Sequence, residues 1–202
     1  SVYACEQDEI PVLQITSSMD IGEHPGCNRG NLYILSNADS VRMYKNDRFI
    51  KEYRPEMSPY KHLKHGPILI DDFIGDALEK NERFRPKHAK EMADAMNIVA
   101  RGSLNHIPKR LYPTALKLAL LYHIDFAEVT KLYTKYIGDW GGTSTVYRFD
   151  ALKNGKVIKS VTKEPVNVIR LQAEADHTNL TEHHSYDVAL VRIRAVDAHG
   201  NV

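Results

Sequence analysis

The sequence predicts an α+β protein: a β-sandwich whose two halves are separated along the chain by an inserted helical bundle. Three observations predict it. First, Leu32–Tyr53 (LYILSNADSVRMYKNDRFIKEY) and Thr143–Lys163 (TSTVYRFDALKNGKVIKSVTK) each read as a hairpin, turning at Asn46-Asp47 and Asn154-Gly155. Second, neither half has enough strands to close a core alone. Third, the residues between them change hydrophobic period from two to 3.6.

Taken in order, residues 1–11 lack periodicity and read as a lead-in ending at Pro11. Val12–Ser17 alternates and predicts a strand with one buried face. Residues 20–30 carry Gly22, Pro25, Gly26 and Gly30 and predict a loop. Leu32–Leu35 is an apolar strand, and Asn37-Ala38-Asp39 is a turn. Val41, Met43 and Lys45 alternate with Arg42 and Tyr44, and Phe49–Tyr53 returns. Pro55, Pro59 and Pro67 exclude regular helix and discourage a central strand.

Helical signals follow. Asp71 is the expected N-cap of a helix running to about Lys80. Pro86 suits the first position of a second helix. Its apolar stripe is Ala89, Met92, Ala93, Met96, Val99 and Ala100, bounded by Gly102. Pro113 opens a third, which is apolar on most sides through Leu116, Leu118, Leu120 and Leu121 and is expected to be buried. Asp125 and Glu128 predict a capping box for a fourth, flanked by Ile124 and Val129 as a hydrophobic staple and ending at Gly138. Strand signals then resume at Val146, Phe149 and Leu152, with Val157–Val161 as the return. Beyond Pro165, Val168–Ala175 and Val188–Val196 alternate on either side of a polar loop, and a turn falls at His199-Gly200. The expected organisation is a lead-in at 1–11, sandwich halves at 12–58 and 140–165, a helical bundle at 59–139, and the first strands of a following module at 166–202.

Bulk properties narrow the function classes. An apolar share of 43% supports a real core and argues against disorder. A net charge of +1, with only short basic runs at residues 61–65 and Lys109-Arg110, argues against nucleic acid or an anionic membrane as partner. The longest candidate stretch, Leu116–Ile124, is far shorter than the roughly 18 residues a membrane span needs. Two cysteines, Cys5 and Cys27, make no disulfide framework. Their bland reading as free thiols in a reducing compartment slightly favours the cytoplasm. A start at Ser1 without Met and a stop at Val202 predict a piece of a longer protein.

The strand motifs resemble those of glycoside hydrolase family 2, the β-galactosidase group. Ser36, Asn37, Asp39, Val41 and Asn46 fall on its pattern V-x-V-x-S-N-x-D-x-V-x-L-x-x-N-G-K, with Asp47 in place of the customary Gly. YRFDALKNGKVIKSVTKEP resembles later strands of the same module, and QDEIPVLQITSSM resembles the junction just after the catalytic barrel. Ala175, Asp176, Leu180, Asp187, Val191, Ile193, Val196, Asp197 and Gly200 resemble the opening of the next immunoglobulin-like module. The resemblance implies an immunoglobulin-like sandwich that braces an upstream catalytic barrel of the same polypeptide, with homo-oligomer contacts and carbohydrate as further partners. The family's catalytic glutamates lie in that barrel, so no catalytic residue carries over. The helical stretch, roughly Pro59–Gly138, departs from the usual module.

Read from the residues themselves, a glycosidase needs two carboxyl groups facing across a cleft. The candidates are Asp71, Asp72, Glu79 and Asp139, but adjacent Asp71 and Asp72 diverge by about 100° on a helix, and capping accounts better for Asp71. Ten histidines invite a metal reading. His177, His183 and His184 are the densest group, yet adjacent strand residues point to opposite faces, and His62 with His65 lacks a third ligand. Solvated histidines and no metal or cofactor are expected. GDWGG is not a phosphate loop. Trp140 and Tyr147 are the candidate sugar contacts, set against a core role at the return from helix to sheet. A carbohydrate-binding module and a protein-interaction domain using the helices are the alternatives to a scaffold role.

Overall fold

The computed structural model describes residues 1–19, 29–102, 107–138, 145–165 and 168–201. The expectations for Cys27, Asp139 and Trp140 lie outside these residues. The chain is α+β, and it divides into two units, Ser1–Pro165 and Val166–Val202.

The first unit holds two antiparallel sheets. One has the order β1 (Leu13–Ile15), β2 (Tyr33–Ser36), β5 (Ile68–Leu69). The other has the order β4 (Arg48–Tyr53), β3 (Ser40–Lys45), β6 (Tyr147–Lys153), β7 (Lys156–Lys163). The distant hairpins therefore meet in one sheet. β3 and β6 pair from Ser40↔Leu152 to Lys45↔Tyr147.

Local chemistry explains this register. Asn46 and Asp47 both take positive φ, as do Asn154 and Gly155, which gives each hairpin the twist of its strands. Asn46 then closes one end of the β3–β6 ladder. Its amide donates to Val146 O at 2.8 Å, and its Oδ1 accepts from Val146 N at 2.8 Å. Asp47 sits where a glycine is customary, and its carboxylate accepts from Arg148 Nη1 at 2.7 Å. At the other end Asp39 Oδ2 accepts from Asn154 N at 2.7 Å. Each turn thus fastens the opposite hairpin.

The Ser-Asn motif has an equally definite role. Ser36 Oγ donates to Val12 O at 2.9 Å. The buried Asn37 accepts from Val12 N at 2.8 Å and donates to Gln7 O at 2.7 Å and Ile10 O at 2.9 Å. The segment expected as a featureless lead-in is accordingly ordered. It includes the short helix α1 (Val2–Cys5), capped by Ser1, whose Cys5 is fully buried and free. Burial pushes the Cys5 thiol up, which makes it a core side chain rather than a nucleophile.

Between β4 and β6 the chain is mainly helical: α2 (Ala77–Asn81), α3 (Pro86–Arg101), α4 (Tyr112–Tyr122) and α5 (Phe126–Tyr133), the last running into a π-helical turn at Thr134–Gly138. Pro86 opens α3, and all six stripe residues are buried. The capping box of Asp125 and Glu128 is formed, with Asp125 Oδ1 accepting from Glu128 N at 2.8 Å.

Three expectations are corrected. The 59–139 stretch is not purely helical, because Ile68–Leu69 adds a strand to the β1–β2 sheet. Asp71 caps no helix: α2 begins at Ala77, and Asp72 instead caps the preceding turn through Ile74 N (2.9 Å) and Gly75 N (3.0 Å). The third helix, α4, is not buried. Leu118 alone is buried, while Leu116, Leu120 and Leu121 are exposed, Leu120 by 69%.

One hydrophobic cluster spans both sheets and the helices. It joins Leu13 and Ile34 to Val41, Met43 and Phe149, and continues through Phe73, Leu78, Met92 and Met96. In the second unit, β8 (Arg170–Ala175) pairs with β9 (Val191–Val196) as an antiparallel ribbon. Asp176 closes its loop, with its own amide donating to Leu190 O (3.1 Å) and its Oδ1 accepting from Leu190 N (3.0 Å).

Candidate functional site

Burial disposes of the first candidate. Tyr147 is only 1% exposed. Its ring lies 5.2 Å from the Arg29 guanidinium and 5.6 Å from Lys45 Nζ, so it offers no face to a sugar. The core reading of Tyr147 replaces the sugar-contact reading. Arg29, which sequence reasoning passed over, is the buried rivet beside it. Its Nη1 donates to Met19 O at 3.0 Å and its Nη2 to Ile137 O at 2.8 Å, while its own amide donates to Ala100 O at 2.8 Å. It also lies 5.3 Å from the Phe73 ring. Nothing local in the sequence around Arg29 marks that role.

The histidines do not converge. Among the described residues no group of three His, Cys, Asp or Glu could hold a metal. His177 sits between two carboxylates, with Nδ1 2.8 Å from Asp176 and Nε2 3.7 Å from Asp187, while His183 and His184 are exposed.

The carboxylates do converge. Asp71, Asp72 and Glu79 line one open groove of about 730 Å³ in the first unit. Its walls come from four places: β4 with Phe49, Ile50 and Lys51; the turn 71–76; α2 with Glu79; and α3 with Pro86, Lys87, Lys90 and Asp94. Gly75 allows the walls to approach. Its φ is +58°, and a Cβ there would lie 3.2 Å from Ile50 O. The turn is locked from below by Asn97 of α3. Asn97 Nδ2 donates to Asp72 Oδ1 at 2.9 Å, and its Oδ1 accepts from Phe73 N at 3.0 Å.

The charges of the groove are largely engaged. Lys51 Nζ spans both oxygens of Asp71 at 2.8 and 2.9 Å. Asp76 accepts from Arg48 and Lys80. The Lys80 hydrogen bond, against the opposing effect of desolvation, holds the Asp76 carboxyl below the usual aspartate range. That is the wrong direction for a general acid, which needs its pKa raised toward the working pH. Glu79, Lys87, Lys90 and Asp94 are exposed at the rim. Phe49 is 48% exposed and meets Tyr44 edge to face at 5.8 Å. The arrangement can hydrogen-bond and stack. Phe49, Lys90 and Asp94 were missed in the sequence because each reads as an ordinary solvated position of its own element.

Compared with known proteins, the chain matches no protein-family model and no curated protein. Among the described residues no helix is long and apolar enough to cross a membrane.

Proposed function

We propose that this chain is a non-catalytic accessory region of a family 2 glycoside hydrolase of the β-galactosidase type. In this reading residues 12–58 and 140–165 form an immunoglobulin-like β-sandwich, residues 59–139 are an insertion into it, and residues 166–202 begin a following module. The region braces an upstream barrel that hydrolyses O-glycosidic bonds, and the chain itself supplies no catalytic residue and no cofactor.

The observation that carries the reading is the six-pair ladder between β3 and β6. It makes one sheet from segments about a hundred residues apart, while both sheets bury side chains in one cluster. The motif residues behind the resemblance support it further. Ser36 and Asn37 bind the backbone of residues 7–12, the stretch that resembles the family's barrel junction. Side chains that clamp an incoming segment are what a bracing module needs. A protein-interaction role is the second reading, favoured by the exposed Tyr112, Leu116 and Leu120 on one face of α4.

The test compares two preparations on nitrophenyl β-galactoside and β-glucuronide. One is the chain alone, and the other is the polypeptide that includes the residues upstream of Ser1. Turnover by the longer polypeptide alone is the expected result. Turnover by the isolated chain, or none by the longer polypeptide, overturns the proposal.

A further inference from the structure

We propose that Asn154 is a self-modification site, at which the chain converts its own asparagine to isoaspartate and so loosens the joint between its two hairpins. The inference stands on the β6–β7 turn and does not need the family reading.

Sequence and backbone together select the site. Asn154 is the one asparagine of the sequence that is followed by glycine. A glycine carries no Cβ to crowd an attack by its own amide, and at Gly155 the space around that position is empty to 4 Å. The β6–β7 ladder ends at the pair Lys153↔Lys156, so the Gly155 amide lies beyond it. Both turn residues are exposed and take positive φ, 52° and 74°. Ring closure takes the Asn154 backbone out of that turn conformation, and an exposed hairpin end opens locally at low cost. Asn46 is the contrast. It also sits at positive φ, but its Oδ1 accepts from Val146 N at 2.8 Å, and the next residue is Asp47, whose carboxylate accepts from Arg148.

The step balances with water and hydroxide alone. Hydroxide takes the proton of the Gly155 amide, and the nitrogen attacks Cγ of Asn154. The Cγ–Nδ2 bond breaks, and Nδ2 leaves as ammonia with a proton from water. Water then opens the five-membered imide. Opening at Cγ gives aspartate. Opening at the main-chain carbonyl carbon gives isoaspartate, with the backbone rerouted through Cγ. Nothing is oxidised or reduced, and the chain gains one negative charge.

The consequence follows from how this turn is fastened. Asp39 Oδ2 accepts from Asn154 N at 2.7 Å, and the Asp39 amide donates to Leu152 O at 2.9 Å. Asp39 thereby closes one end of the β3–β6 ladder. The product puts a second carboxylate on the residue whose amide Asp39 holds, which adds like-charge repulsion at the clasp. Lys153 and Lys156 flank the turn and offset part of it. Isoaspartate also lengthens the main chain of a two-residue turn by a methylene, which disturbs the match between turn and strands.

The test ages the folded chain in alkaline buffer, with the urea-unfolded chain as reference, and follows both by peptide mass spectrometry and amide hydrogen exchange. The fragment containing Asn154 is expected to become one mass unit heavier ahead of every other asparagine, through an intermediate lighter by ammonia. Exchange protection in residues 39–41 and 151–153 falls as it does so. Asn154→Gln abolishes both changes, because the longer side chain closes its ring far more slowly. Asp39→Ala frees the turn and raises the rate by about tenfold, the loss of one charge-assisted hydrogen bond. A folded chain still unmodified after the unfolded chain has reacted, earlier reaction at another asparagine, unchanged protection after conversion, or no acceleration in Asp39→Ala would each overturn the proposal. None of these outcomes depends on glycosidase turnover, so this site and the accessory role fail separately.

Discussion

At the residue scale, burial decides what Tyr147 and Glu82 do. The Tyr147 ring fills core space between two cations, but its hydroxyl is buried and has no hydrogen-bond partner among the described residues. The ring is therefore worth far more than the oxygen. Tyr147→Phe should leave stability unchanged or raise it by up to about 1 kcal/mol, because it removes an unpaired polar atom. Tyr147→Ala should cost about 3–5 kcal/mol through the cavity it leaves. Urea melts of the two variants check the contrast. Glu82, at the end of α2, accepts from Lys135 Nζ at 2.6 Å and from Tyr136 Oη at 2.7 Å, tying α2 to the π-helical turn. The Lys135 hydrogen bond outweighs desolvation and holds the carboxyl below the usual glutamate range. A depressed folded pKa means the unfolded chain binds the proton more readily. The stabilisation is then complete above the ordinary glutamate value and is lost as pH falls through the folded value. Glu82→Gln should lower stability at neutral pH and flatten the acid side of a stability–pH curve. An unchanged acid slope would remove Glu82 from the account.

At the element scale, two small devices hold long connections. Asn37 makes three side-chain hydrogen bonds to the backbone of residues 7–12. Asn37→Ala should cost about 2–4 kcal/mol and expose the amides of that stretch to hydrogen exchange, since partners of a buried group are left unpaired. Gly75→Ala places a side chain at positive φ against the β4 backbone. About 1–2 kcal/mol of loss follows from the conformation alone, before any steric shift. Both hairpins were legible in the sequence because Asn46-Asp47 and Asn154-Gly155 carry their turn geometry locally. The α3 stripe and the Asp125 capping box were legible for the same reason. The strand Ile68–Leu69 was not, because a two-residue strand has no period to read and exists only through its pairing with β2. The α4 surface was misread because an apolar helix says nothing about what covers it. In the groove, Asp71, Asp72 and Glu79 stood out as carboxylates, but their neighbours come from separate segments that only the fold brings together.

At the scale of the whole molecule, the sheet that joins the hairpins is the cooperative centre of the first unit. Its hydrophobic cluster draws on residues from Leu13 to Ala151, with Ile158 and Val161 packed against it, and none of its members among the described residues lies beyond Pro165. A chain ending at Pro165 keeps every described member of that cluster and should therefore unfold in one cooperative transition, checked by calorimetry. A chain ending at Gly138 is a different case. It loses β6 and β7, and with them Tyr147, Phe149 and Ala151, while the inner edge of β3 is left unpaired. About half of β3's pairing would go with them, and the hydrophobic cluster that the sheet shares with the helices would lose part of its members. That shorter chain should show no cooperative melt by calorimetry and little exchange protection in residues 40–45. If it melted cooperatively, with β3 still protected, the helical stretch and the first hairpin would form a body of their own. The paired halves would then be neighbours rather than parts of one folding unit.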